Sequence, residues 1–237
     1  MSLSTYRIYL DDDNRSASFV MYNKKVVKEE CELTLVHKSW SENGTMTDLA
    51  EDVIPETSAE PWIRFSPKNF VANERVTQTV RFTLRRKANM EPAEYRSYLK
   101  VFCDAVEEEL PSSNSANGKT AKITVKPRLV QHVPIVVRIG KLDVQLAFSN
   151  FKIDGNTVHF DISRQGNRSV YGKIELVDKS SNEVISSKKN ISIYTDSTQV
   201  SYDMNRKDVP VNQLAVRFVE DKNYGGTLTL QQDFTVN

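Results

Sequence analysis

Residues Ala121 to Arg138 read AKITVKPRLVQHVPIVVR. Apolar side chains recur there at almost every second position. Ala121, Ile123, Val125, Leu129, Val133, Ile135 and Val137 share one parity, and Lys122, Thr124, Lys126, Arg128, His132 and Arg138 fall on the other. A period of two marks a strand with one apolar face, and this one outruns an ordinary strand. Pro127 and Pro134 lack the backbone donor that a doubly paired strand must supply, so the segment is expected at a sheet edge. Long apolar edge strands recruit other chains, so one reading is a strand used to bind a strand of a partner. The other is a core strand at the seam between two domains, and periodicity leaves both open. The two prolines stand at opposite parities. A β-bulge at Leu129–Val130 would bring them to one edge, with Val130 joining or replacing Leu129 in the apolar series.

On both sides of this stretch the chain repeats one theme. Short runs rich in Val, Ile, Thr, Phe and Tyr, such as SASFVMY, CELTLVHKSW, VTQTVRFTL, EYRSYLKVFC, VYGKIELVD and LAVRFVED, alternate with polar turn clusters. No helical period persists. The pattern predicts an all-β protein built as a sandwich. Gly166, Asn167 and Arg168 are expected to form a hairpin loop, and Val106–Lys119, acidic and then Ser/Asn-rich, a surface loop. A chain of 237 residues suits two domains. The glycine of Arg138–Lys141 (RIGK) ends the long strand, so the domains are expected at 1–139 and 140–237.

Lys+Arg total 32 against Asp+Glu 31, for a formal net charge of +1, and the basic residues are dispersed. Nothing in this asks for nucleic acid or an anionic membrane. No apolar run reaches membrane-spanning length, so no membrane insertion is expected. The three histidines, His37, His132 and His159, stand singly, without metal-ligand spacing, phosphate loop or nucleophile elbow nearby. Acidic runs such as Asp11–Asp13 read as solvated turns. No enzyme activity, metal or cofactor is expected. Cys31 opens one strand-like run and Cys103 closes another. If those strands are antiparallel neighbours the sulfurs come within reach of a disulfide; otherwise the chain holds two buried thiols.

Several segments, taken in order, carry a resemblance. YRIYLDDDNRSASFVMYN offers an Arg, an extended run, a polar turn and an apolar strand ending in Asn. PWIRFSPKNFVANERVTQTVRF, EYRSYLKV, VPIVVRIG and GNRSVYG follow. Together they resemble the periplasmic chaperones of the chaperone-usher pilus pathway (PapD-like), and most of all the archaic branch. That resemblance implies two immunoglobulin-like β-sandwich domains in an L-shaped, boomerang arrangement. It also implies a non-enzymatic periplasmic protein, in mature form without its signal peptide, that binds pilus (fimbrial) subunits by donor-strand complementation. The outer-membrane usher is the second implied partner, and an uncovered edge strand offers a route to self-association. A rival reading of two such domains is a cell-surface adhesive or structural protein that binds through loop tips.

The resemblance also implies roles for residues. The donor series would be Ala121, Ile123, Val125, Leu129 and Val133, entering a groove in the subunit. The subunit's terminal carboxylate would be held in the cleft between domains by basic residues, since a desolvated carboxylate needs charged partners. Arg7 matches the first-strand Arg of the family. The family's strand Lys falls at Pro134, so Arg96, on the strand expected beside the long one, is the replacement, with His132 and Arg138 behind it. An interdomain charge cluster would join Glu94, Arg138 and Asp221, the last standing in for a second acid.

Overall fold

The computed structural model describes residues 1–50, 52–87, 90–106, 129–203 and 209–234. Its first strands are β1 (Ser2–Leu3), β2 (Ile8–Asp11), β3 (Ser16–Tyr22), β4 (Glu29–Val36), β5 (Lys38–Trp40) and β6 (Met46–Asp48). Then come β7 (Ile63–Ser66), β8 (Asn69–Ala72), β9 (Thr77–Leu84), β10 (Ala93–Ala105) and β11 (Val130–Ile139). The rest are β12 (Val144–Asp154), β13 (Thr157–Gly166), β14 (Val170–Asp178), β15 (Val184–Ile193), β16 (Ser197–Asp203), β17 (Leu214–Glu220) and β18 (Thr229–Asp233). Helix is confined to short 3₁₀ turns, and no helix among the described residues is long and apolar enough to cross a membrane.

Two compact units result. One comprises Met1–Val36, Ser58–Arg86 and Arg96–Val136; the other comprises His37–Thr57, Lys87–Tyr95 and Val137–Asn237. The first is a sandwich of a sheet ordered β1-β3-β9-β7 and a sheet ordered β2-β11-β10-β4-β8. Its core follows from alternation: β9 buries Val80, Phe82 and Leu84 and exposes the residues between, while β3 buries Phe19 and Met21. Phe65 and Phe82 stack at 5.2 Å. The chain start is shared between sheets, since β1 pairs with β3 and β2 lies beside β11. At the end of β3, Asn23 is fully buried, and its Nδ2 donates to the carbonyls of Val27, Ala72 and Asn73 at 2.8–3.2 Å. One side chain thereby closes two loops, which is why an Asn ends this apolar strand.

β4 and β10 are antiparallel, with Cys31 directly opposite Cys103 and a disulfide joining them across a Cα–Cα distance of 4.1 Å. That spacing belongs to a non-hydrogen-bonded pair, where opposed side chains lie closest.

The second unit packs a sheet ordered β12-β13-β16 on one ordered β15-β14-β17-β18. Phe148, Phe160, Ile162, Ile174, Leu176, Val216 and Phe218 fill the space between. Gly166–Arg168 is not the hairpin expected of it. β13 belongs to one sheet and β14 to the other, so these residues carry the chain across the sandwich. Gly166 has φ +113°, and a Cβ there would lie 2.4 Å from the Asp143 carbonyl oxygen. Asn167 fixes the crossing by donating its N–H to that carbonyl at 3.1 Å and accepting from Asp143 N at 2.9 Å. Gly140, after β11, has φ +71° and approaches Pro92 so closely that a Cβ would stand 2.8 Å from the proline ring.

Candidate functional site

The site is built on β11. Sequence reading expects an edge strand, but the sheet order sets β11 between β2 and β10. The reason is the switch of the first strand between sheets, which no periodicity in the long strand reveals. β2 runs for four residues against ten in β11, so it lines less than half of that side. A proline is tolerated only where no ladder bond is asked of it.

Along β11 burial rises from one end to the other. Leu129, just before the strand, is 68% exposed and Val130 38% exposed, while Ile135, Val136, Val137 and Ile139 are fully buried. The change falls at Val133, which is 2% exposed. Val133 therefore packs in the chain's own core. Ala121, Ile123, Val125 and Pro127 lie outside the described residues, as does most of the loop expected before them.

Arg7 immediately precedes β2, and Arg96 lies on β10. The two arginines therefore stand on the elements that flank β11. Arg7 is among the largest fully buried side chains and Arg96 is half-buried. The Thr5 hydroxyl donates to the Arg7 carbonyl at 2.9 Å and accepts the Arg7 N–H at 3.2 Å, fixing the switch between β1 and β2. His132 is half-buried on β11.

The expected charge cluster takes a different form. Arg138 Nε donates to Glu94 Oε2 at 3.0 Å, and the same oxygen accepts Ser169 N at 3.1 Å. The guanidinium also donates to the carbonyls of Ser169 at 2.8 Å and of Tyr224 and Gly225 at 3.4 Å. Among the described residues Asp221 makes no ion pair with Arg138 or Arg168. Its carboxylate accepts Asn223 N at 2.9 Å as the cap of a 3₁₀ turn, a geometry that short acidic side chains favour. Another buried acid, Glu220, binds Arg168 in a fork at 2.5 and 3.1 Å and accepts the amides of Thr227 and Leu228 at 2.9 Å. Burial pushes the Glu220 carboxyl up, but Arg168 and these amides outweigh it and hold the group below its ordinary 4.5. Glu94, Arg138, Arg168, Ser169 and Glu220 all belong to the second unit. Arg168 was hidden by its place after Gly-Asn, which reads as loop. Glu220 was legible, because it shares the inward parity of Leu214, Val216 and Phe218 on β17.

Among the described residues no group of three His, Cys, Asp or Glu side chains is placed to hold a metal ion. No protein-family model matches the sequence, and no curated protein does. Solved structures do. A chain in the complex of Salmonella enterica SafA pilin with the SafB chaperone aligns at TM-score 0.51 and 10% identity, over 98% of this chain and 95% of that one. The fold is that of a pilus chaperone. Also similar are the CsuC–CsuE chaperone–tip adhesion subunit complex of the archaic chaperone-usher Csu pili of Acinetobacter baumannii (TM-score 0.49, 9% identity, 97% of this chain and 96% of that chain) and the Pseudomonas aeruginosa CupB2 chaperone (TM-score 0.47, 14%, 98% and 100%).

Proposed function

We propose that this protein is a periplasmic chaperone of the chaperone-usher pathway, of archaic type, that captures pilus subunits by lending them the start of its long strand. The observation that carries the reading is the exposed apolar pair Leu129–Val130 at the head of β11, where the alternation Ala121, Ile123, Val125 arrives. Apolar side chains left in water at the head of a strand gain roughly 1.5 to 3 kcal/mol each when a partner's groove covers them, and main-chain pairing adds register. Arg7 and Arg96, on the elements beside β11, would supply the positive charge for the subunit's terminal carboxylate. The chaperone protects the subunit from aggregation and passes it to an outer-membrane usher.

The test is co-expression in a periplasm with the products of the neighbouring genes. A stable one-to-one complex with a subunit is the expected result. Recovery of the chain alone, with binding instead to a surface ligand through loop tips, would favour an adhesive role.

A further inference from the structure

The second sandwich closes its seams with single side chains. Gln232, on β18, donates from Nε2 to the Phe148 carbonyl at 2.8 Å and accepts Phe148 N at 3.2 Å, imitating a ladder pair between β18 and β12. On the opposite side Lys188, on β15, lies over the Tyr202 ring at 5.8 Å and donates to the Ser201 carbonyl of β16 at 3.0 Å. Among the described residues, β16, the last strand of its sheet, keeps a regular edge that Lys188 touches only at Ser201.

β16 has none of the protection that edge strands usually carry in their own sequence. It reads STQVSYD, with no proline, no lysine or arginine, and one charge, at its end. Its register with β13 runs unbroken from Asp203↔Thr157 to Ser197↔Ser163, without a bulge. An edge of this kind is a template for another strand. What caps its middle, at Gln199, is the β5–β6 hairpin, which the chain inserts between β4 and β7 and which groups with the second unit. The Ser41–Thr45 turn presents the Glu42 carbonyl to the outward N–H of Gln199 at 3.1 Å, and Trp40 packs on Tyr194 at 5.2 Å. The outward carbonyl of Ser197 is taken by the Thr195 hydroxyl at 2.6 Å.

We propose that the β16 edge is a self-association surface kept covered by the β5–β6 hairpin, and that its partner when uncovered is β16 of a second copy of this chain. Antiparallel pairing about Val200 would set Gln199 opposite Ser201 and Asp203 opposite Ser197. The outward residues then meet as neutral polar pairs, and the lone carboxylate meets a hydroxyl rather than its own copy. A two-fold contact of this kind is self-complementary, and Lys188 is a flexible side chain that can be displaced from Ser201. The inference is independent of the strand-lending role of β11.

The experiment replaces Ser39–Thr47 by a Gly-Ser-Gly linker and follows mass by sedimentation across a concentration series, with Trp40→Ala as the milder opening. Both variants should form a dimer that wild type lacks at equal concentration, and adding Gln199→Pro should return them to monomer. In wild type, the Gln199 amide should exchange at least about tenfold more slowly than in an unfolded chain. Variants that stay monomeric, a dimer indifferent to Gln199→Pro, or a Gln199 amide that is unprotected in wild type would each overturn the proposal. The last measurement stands even where the shortened chain does not fold.

Discussion

Arg168 and Glu220 meet as a two-bond fork inside the second sandwich, and Glu220 also receives two backbone amides. Each residue is therefore the other's charged partner. Removing one leaves a buried charge without its counter-ion, so Arg168→Ala or Glu220→Ala should each cost about 3 to 5 kcal/mol. Replacing both with apolar residues of similar volume should cost much less. Denaturant unfolding of the single and double variants checks this.

The same pair makes stability depend on acid. The Glu220 carboxyl is held below its ordinary 4.5 in the fold, so its contribution is fully present above 4.5 and is lost as pH falls through the depressed value. Glu175 adds in the same direction: burial pushes it up, and Lys173 and Arg217 more than reverse this. Thermal midpoints measured from about pH 6 down to about pH 3 should fall. Glu220→Gln should start lower and show a flatter decline.

Val133 and Ile123 separate the two readings of the long strand. Val133→Asp puts a carboxylate into the first core and should destabilise the protein by more than about 3 kcal/mol. Ile123→Asp should leave the isolated protein folded and abolish subunit capture, because the charge would enter an apolar groove. Circular dichroism and pull-down of a subunit read the two outcomes. An Ile123→Asp variant that still captures subunits at wild-type level would place the lending strand elsewhere.

Much of the fold was legible because it rests on period two. The parity of β9 names its buried residues directly, and the cysteines pair because their two runs are antiparallel neighbours in direct register. What escaped depends on which strands meet rather than on what each strand is. The residues just after Leu3 look like the continuation of one strand, yet β1 and β2 lie in different sheets, and this alone moves β11 inward. Gly166–Arg168 reads as a hairpin by composition, and only the sheet assignment reveals a crossing that buries Arg168. At the site, Glu94 and Arg138 come together, whereas Asp221 is claimed by a local turn that its neighbour Glu220 is not free to make.

Arg96→Ala should weaken subunit binding by about 2 to 5 kcal/mol while sparing stability, since Arg96 is only half-buried. Arg7→Ala should cost both binding and stability, because the whole side chain is buried. Titration with a subunit and with the same subunit lacking its C-terminal residue tests the assignment. The Arg96→Ala loss should vanish with the shortened subunit, and an equal loss with both would remove Arg96 as the carboxylate's partner.

Reduction of Cys31–Cys103, separated by 72 residues, should lower stability by about 4 kcal/mol in the chain-entropy account. Unfolding with and without reductant, with alkylation and intact mass to count thiols, checks both bond and magnitude.

The position of that bridge governs how the protein bears a pulling force. The chain leaves β10 at Ala105 and continues toward the strand that would hold a partner. Tension from that side can peel away the Val106–Lys28 bond and the Ala105–Glu29 and Asp104–Glu30 pairs, and then it reaches Cys103. There the load passes into a covalent link to β4. Unzipping would stop after three steps, and the first sandwich would keep its remaining ladder under that load.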